Sequence, residues 1–347
     1  MALFRRRASE PADTIPQFWA WWTAEGAATA AAAIAAGGPE RMAEEISRRV
    51  GAVHPDLAWE LAAGQVSEHT LVVTPEGNPD LRPIARRWLL AAPPADETWS
   101  YDDHRGAAAD PEGIVLRGGD DAPAIAFRDI SVSARKAGTR LDVTVHHPAF
   151  ADLPETARHQ VAFLALDAAL GENDTELWVG VIDTATHPPI DGFGLLALRS
   201  LVADIRRESM DEDGRPHWAL LQGEGPNGPV LAAARSPLHP LFGPMLTRHV
   251  AAHVPYSAQT EVGLPAPESL DTLRALEDRL ESALGPDGLL VAHESSAGTR
   301  IFHLYVDPES GSVDRLVAAL DDWPDGDVRV PVTDGDPGWE SVRHLRG

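Results

Sequence analysis

The chain has 347 residues, 44% of them hydrophobic and 24% charged, a globular composition long enough for two or three domains. Acidic residues outnumber basic ones 53 to 29, a net charge of −24, so the surface repels phosphate backbones and nucleic acid is not an expected partner. Cysteine is absent and Lys136 is the only lysine, which removes disulfides, thiolate nucleophiles, cysteine-held metal clusters and the Gly-Lys-Ser/Thr phosphate loop.

The chain opens on a basic tip, Arg5, Arg6 and Arg7, read as a solvated tail. No apolar signal core follows it. The most apolar helical run, Ala27 to Ala36, is half the roughly 20 residues that cross a bilayer, so the expected location is the cytoplasm, away from membrane. A first α+β segment is expected over 15–105. Phe18, Trp19 and Trp22 recur at helical spacing; Trp21, turned about 100° away, is a candidate contact surface, but the favoured reading packs these tryptophans at the edge of the core. A second helix follows Gly37-Gly38-Pro39. Alternation at Leu57, Trp59 and Leu61 and the run His69–Thr74 give two strands, Leu81–Leu90 a helix, and Trp99 opens a third strand.

A middle α+β domain is expected over 106–237. It holds strands at 125–132, 140–145 and 178–182, helices at 153–170 and 195–207, and a hairpin of 217–221 with 229–234. A third domain is expected over 238–347. The order is strand (248–254), helix (267–284), hairpin (289–294 with 300–306), helix (312–320) and strand (328–332). That order predicts a ferredoxin-like α/β sandwich, four antiparallel strands with two helices on one face. The fold class is α+β, with further mixed α+β units before the sandwich.

Three motifs stand in order in the last segment: Gly263-Leu264-Pro265 before the leucine-rich helix, Arg300 to Tyr305 in a strand, and Asp336-Pro337-Gly338-Trp339 near the end. Over about 218–345 they resemble the bacterial domain of unknown function 695 family. Phe18-Trp19, Leu71 to Gly77 and Leu170 to Asp174 resemble the lead-in of such proteins. The resemblance carries no catalytic residues. It implies a protein-binding role, because such domains sit near ones resembling a regulator that binds a ribonuclease. Trp339 is expected to close the edge of the C-terminal core.

Residues 223–228 match G-x-G-x-x-G, but Pro226 removes a donor and a strand follows, so the segment reads as a hairpin tip. His249 and His253 lie four apart on a strand, about 13 Å along one face, too far to share an ion. The best enzymatic set is His146, His147 and His187 at strand ends with Glu172 and Asp174 in a connection, the donor types of a metal-assisted hydrolase. The competing reading is ordinary turn chemistry. Arg128, Arg135, Lys136 and Arg140 form a basic patch fit for one small anion. No cofactor or metal set is assigned. The expected function is a non-catalytic module that binds another protein or regulates it, with the hydrolase as the alternative.

Overall fold

The computed structural model describes residues 11–117 and 124–346; the basic tip, Arg5 to Arg7, lies outside them. Two compact units divide the chain, 1–106 and 107–347. Among the described residues no helix is long and apolar enough to cross a membrane.

The first unit contains α1 (Pro11–Trp21), α2 (Ala27–Ala35), α3 (Ala43–Val53), β1 (Ala58–Ala63), β2 (His69–Thr74), α4 (Arg82–Leu90) and β3 (Trp99–Asp102). β2 is central, antiparallel to β1 and parallel to β3, with α4 in the crossover. A π-helical turn, Trp22–Gly26, joins α1 to α2. Such a turn widens the helix by one residue and shifts the facing of side chains around it. Trp21 and Trp22 are both buried, in line with the packed reading and against Trp21 as a contact surface. Arg49 covers Trp21 at 4.8 Å from the ring centre, and Phe18 packs edge-on to it. A Cβ on Gly26 would stand 2.9 Å from the Trp22 ring, so glycine leaves room for the pair.

The second unit begins with the short pair β4 (Val115–Leu116) and β5 (Ile125–Ala126). A three-stranded sheet follows, made of β6 (Ser131–Ala137), β7 (Arg140–His146) and β8 (Val179–Ala185), in the order β6-β7-β8. The helices α5 (Glu155–Leu170), α6 (Glu172–Trp178) and α7 (Leu195–Ser209) belong to this layer. Residues 172–174, expected as a polar connection, are the first turn of α6. Gly171, at φ +82°, breaks α5 from α6.

A six-stranded antiparallel sheet occupies the rest. Its strands are β9 (His217–Gly225), β10 (Gly228–Ser236), β11 (Arg248–Pro255), β12 (Gly288–Ser296), β13 (Thr299–Val306) and β14 (Val332–Thr333), in the order β14-β11-β13-β12-β10-β9. The β9–β10 hairpin, read from sequence as part of the middle segment, pairs with β12 and belongs to this sheet. Residues 223–228 form its tip. The last strand is shorter than the expected 328–332. Pro331 has no N–H to donate and only accepts, from Ala251 N, so the ladder there reduces to a bridge at Arg329 and the pairs of β14.

Helices α8 (Pro267–Leu284) and α9 (Ser312–Leu320) lie on one face of the sheet. The leucines at 273, 276, 280 and 284 meet Val250, Val254, Phe302 and Leu304 there. Gly263, at φ +79°, brings the Gly-Leu-Pro step against the β12–β13 tip: its carbonyl accepts from Gly298 N, and a Cβ would stand 3.0 Å from Ala297 Cα. β12 carries a bulge at Val291, where the register passes from Leu290↔Leu304 to Ala292↔His303. The face opposite the helices is closed in part by Trp339, Val342 and Leu345 of the terminal segment.

Candidate functional site

Strand alternation sends Phe302, Leu304 and Val306 of β13 under the helices, and Ile301, His303 and Tyr305 to the opposite face. In register, Ala292 pairs with His303 and Glu294 with Ile301, so Glu294 and His303 are diagonal neighbours. His249 of β11 pairs with Tyr305 and is diagonal to His303 on the other side. His303 Nε2 stands 3.2 Å from Glu294 Oε1, and His303 Nδ1 stands 3.0 Å from His249 Nε2. His344 approaches from the terminal 3-10 turn, Glu340–Leu345, with Nε2 3.5 Å from Glu294 Oε2. One donor atom each of Glu294, His303 and His344 lie within 4.8 Å of one another. His303 is buried, Glu294 half-buried and His344 exposed, so the cluster opens to solvent on the His344 side.

The Asp-Pro-Gly-Trp motif builds the turn that delivers His344. Asp336 accepts hydrogen bonds from Tyr305 Oη at 2.6 Å, Glu340 N at 2.7 Å and Ser341 N at 3.0 Å. Burial pushes its carboxyl up, but these bonds outweigh burial and lower it. Trp339 takes a left-handed backbone, φ +53°, and stacks on Tyr305 with ring centres 4.6 Å apart. Its indole N–H donates to Leu246 O at 2.9 Å, and the side chain is buried, as the sequence reading expected. Arg300 donates to Ser295 Oγ at 2.8 Å and is structural.

Burial and the neighbouring His303 lower the pKa of His249 to about 4, which keeps its imidazole neutral. The hydrogen bond to His303 holds the Glu294 carboxyl below its ordinary range despite burial. The cluster is thus a carboxylate with three imidazoles ranged beside it. Of the strand pair His249 and His253, the first is buried in this network. The second is half-buried four residues along on the same face, opposite Arg329.

The first unit holds a second group of acids and histidine, Asp102, Asp103 and His104. Here one nitrogen, His104 Nδ1, faces both carboxylates, at 2.8 and 3.0 Å. Arg86 Nε takes the other oxygen of Asp103 at 2.7 Å. Burial pulls His104 down, but the bonds to Asp102 and Asp103 outweigh it and raise the pKa to about 10. This is a closed ion-pair network.

The histidines singled out from sequence in the second unit gather at one end of the small sheet. His146 ends β7 opposite Ala185, and its Nδ1 donates to Ala185 O at 3.0 Å. His147 Nδ1 accepts from Ala149 N at 3.1 Å. His187 is exposed beside Thr186. Glu172 and Asp174 precede β8, which runs parallel to β7, so they lie at the other end of the strands, roughly 20 Å away for seven residues. Asp174 pairs with Arg206. In the basic patch, Arg135 meets Asp142 at 2.7 Å and Lys136 meets Glu208 at 2.6 Å, while Arg140 donates to Glu176 O.

Sequence reasoning missed Glu294, His303 and His344 because it sought ligands at fixed short spacing. The hairpin turn at Ala297-Gly298 carried the one usable signal, since residues 294 and 303 fall on one face when the strands are paired around it. His344 had no such signal.

Residues 244–344 match DUF695, a family of unknown function. The three converging residues all fall inside the matched stretch, as do Gly263, Arg300, Tyr305, Asp336 and Trp339. No curated protein and no solved structure matches the chain.

Proposed function

We propose that the DUF695 region is a binding module that holds a divalent transition-metal ion, zinc by its donor set, on Glu294, His303 and His344. The observation that carries this is the convergence of two imidazoles and a carboxylate on one solvent-open point. Zinc takes such nitrogen and oxygen donors at about 2.0–2.1 Å, which sets tetrahedral donors about 3.3 Å apart. His303 stands 3.2 Å from one Glu294 oxygen and His344 3.5 Å from the other, one donor atom of each residue lies within 4.8 Å of the rest, and rotation of the exposed His344 closes the set. When His303 ligates through Nε2, its Nδ1–H points at His249, whose neutral imidazole accepts and fixes the ring. An ion with three protein ligands keeps a fourth position for an outside ligand. The strand order β14-β11-β13-β12, with α8 and α9 on one face, supports reading this domain as a ferredoxin-like sandwich with the β9–β10 hairpin added.

The test is metal content. Protein stripped with a chelator, supplied with zinc and dialysed is expected to retain one equivalent by elemental analysis. His303→Ala and His344→Ala are expected to lose it. Absence of retained zinc, or both variants matching the unaltered protein, overturns the proposal.

Binding of another protein is a second reading, favoured by the sheet edge. β9 ends the strand order, runs nine residues without lysine or proline, and leaves Leu220 80% exposed. Such an edge can pair with an added strand. Leu220→Lys is expected to reduce partner recovery from extracts of the native host, and undiminished recovery counts against the edge.

A further inference from the structure

The Glu294 cluster adjoins a cleft that shares only Glu294 with it. Glu294 pairs with Ile301, Ile301 with His253, and His253 with Arg329, so one row crosses three strands and ends at a bridge on the same face. The backbones of His253 and Arg329 exchange two hydrogen bonds, at 2.8 and 3.2 Å, which fixes the side chains of this pair side by side. The β9–β10 tip at Asn227 and Val230 walls the far side, and the cleft measures about 300 Å³. Glu294 belongs both to the cleft lining and to the metal cluster.

Arg329 is exposed, and it makes no ion pair or side-chain hydrogen bond among the described residues. Other arginines of this sheet are engaged, Arg248 with Asp334 and Arg235 with Glu281. Without metal the cleft is balanced, one guanidinium against one carboxylate. A divalent ion on Glu294 leaves the metal centre at +1, and Arg329 brings the cleft to +2 on a body of net charge −24. Burial and the Arg329 charge lower the pKa of His253, leaving a neutral imidazole able to donate one hydrogen bond between the two charges.

We infer that the loaded site binds a small oxyanion, a carboxylate or a phosphate, with one oxygen on the metal and another on Arg329. This rests on the metal reading, and it makes anion binding conditional on the metal. The guanidinium fork suits either oxyanion, and the metal supplies the second anchor.

Cobalt(II) in place of zinc reports its own coordination through its visible spectrum. Cobalt uptake is measured first, and failure to bind cobalt or zinc overturns the metal reading and this inference together. With cobalt bound, inorganic phosphate and acetate are titrated separately, and at least one is expected to shift the spectrum saturably. The arm that responds identifies the oxyanion class. Arg329→Ala is expected to take up cobalt normally and to weaken the anion about tenfold or more. The metal-free protein is expected to bind neither anion by calorimetry. A cobalt spectrum unmoved by both anions, or an Arg329→Ala variant that binds as well as the unaltered protein, overturns the inference and leaves the metal reading standing.

Discussion

Among the described residues two clusters combine histidine with carboxylates, and their imidazoles are pulled in opposite directions. In the first unit, Asp102, Asp103 and His104 are consecutive, and Arg86 completes them. Every strong acceptor there faces a cation, His104 rises to about 10, and the charges close on one another. In the second unit, Glu294, His303 and His344 come from two strands and a terminal turn, with no arginine among them. His249 beside them falls to about 4, so an imidazole lone pair faces the network instead of a fixed cation. Residue type alone does not make a ligand set. The supply of cations does: where arginine saturates the carboxylates the cluster is structural, and where it is withheld the donors stay available.

The largest expected effect falls on the scaffold of the open cluster. Trp339→Ala removes a buried indole stacked on Tyr305 and is expected to cost about 3–5 kcal/mol in denaturant unfolding. The same variant loses zinc, because the turn carrying His344 loses its anchor. An unchanged midpoint would free Trp339 from its structural role. Zinc itself comes next. At a free concentration about 100-fold above its Kd it is expected to stabilise the second unit by about 2.7 kcal/mol. His303→Ala abolishes that gain and His104→Ala does not. If His104→Ala removed it as well, the contrast between the clusters would fail.

A smaller effect is expected from Asp336→Ala, which leaves the buried Tyr305 hydroxyl and two backbone N–H groups without their acceptor, a loss of about 1–3 kcal/mol. Zinc affinity should weaken with it, measured by competition with a chelating dye. The closed cluster supplies a pH response. His104 titrates near 6.5 when unfolded and near 10 when folded, so its contribution is complete below pH 6.5 and fades as pH rises through 10. The stability gap between the unaltered protein and His104→Asn should narrow over that window. A gap that widened with pH would reverse the assignment of His104 as a cation.

Local periodicity made most elements legible. The leucines of α8, the alternation of β1 and β2, and the turn at Ala297-Gly298 each state their structure within a few residues. What escaped depends on partners distant in the chain. The π-turn after Trp21 escaped, since nothing in Trp-Trp-Thr-Ala-Glu-Gly announces that widening. The hairpin 217–236 was legible as a hairpin, but its sheet was not, since pairing with β12 spans some sixty residues. The candidate site failed to show for the same reason. Its three residues share a point only after a strand pairing and the landing of a terminal turn are both known.

The bulge at Val291 sets which chemistry the sheet offers. Leu290, before it, faces the helices, and the extra residue resets the alternation so that His293 also faces them while Ala292 and Glu294 face outward. Strict two-residue alternation from Leu290 would send His293 to the open face and bury Glu294 beneath α8. One inserted residue therefore acts as a parity bit. Deleting Val291 would remove the bulge yet leave the carboxylate beside His303 and His344, because Ala292 would then follow Leu290 in strict alternation; the swap to an imidazole requires the residue to stay and the bulge to flatten.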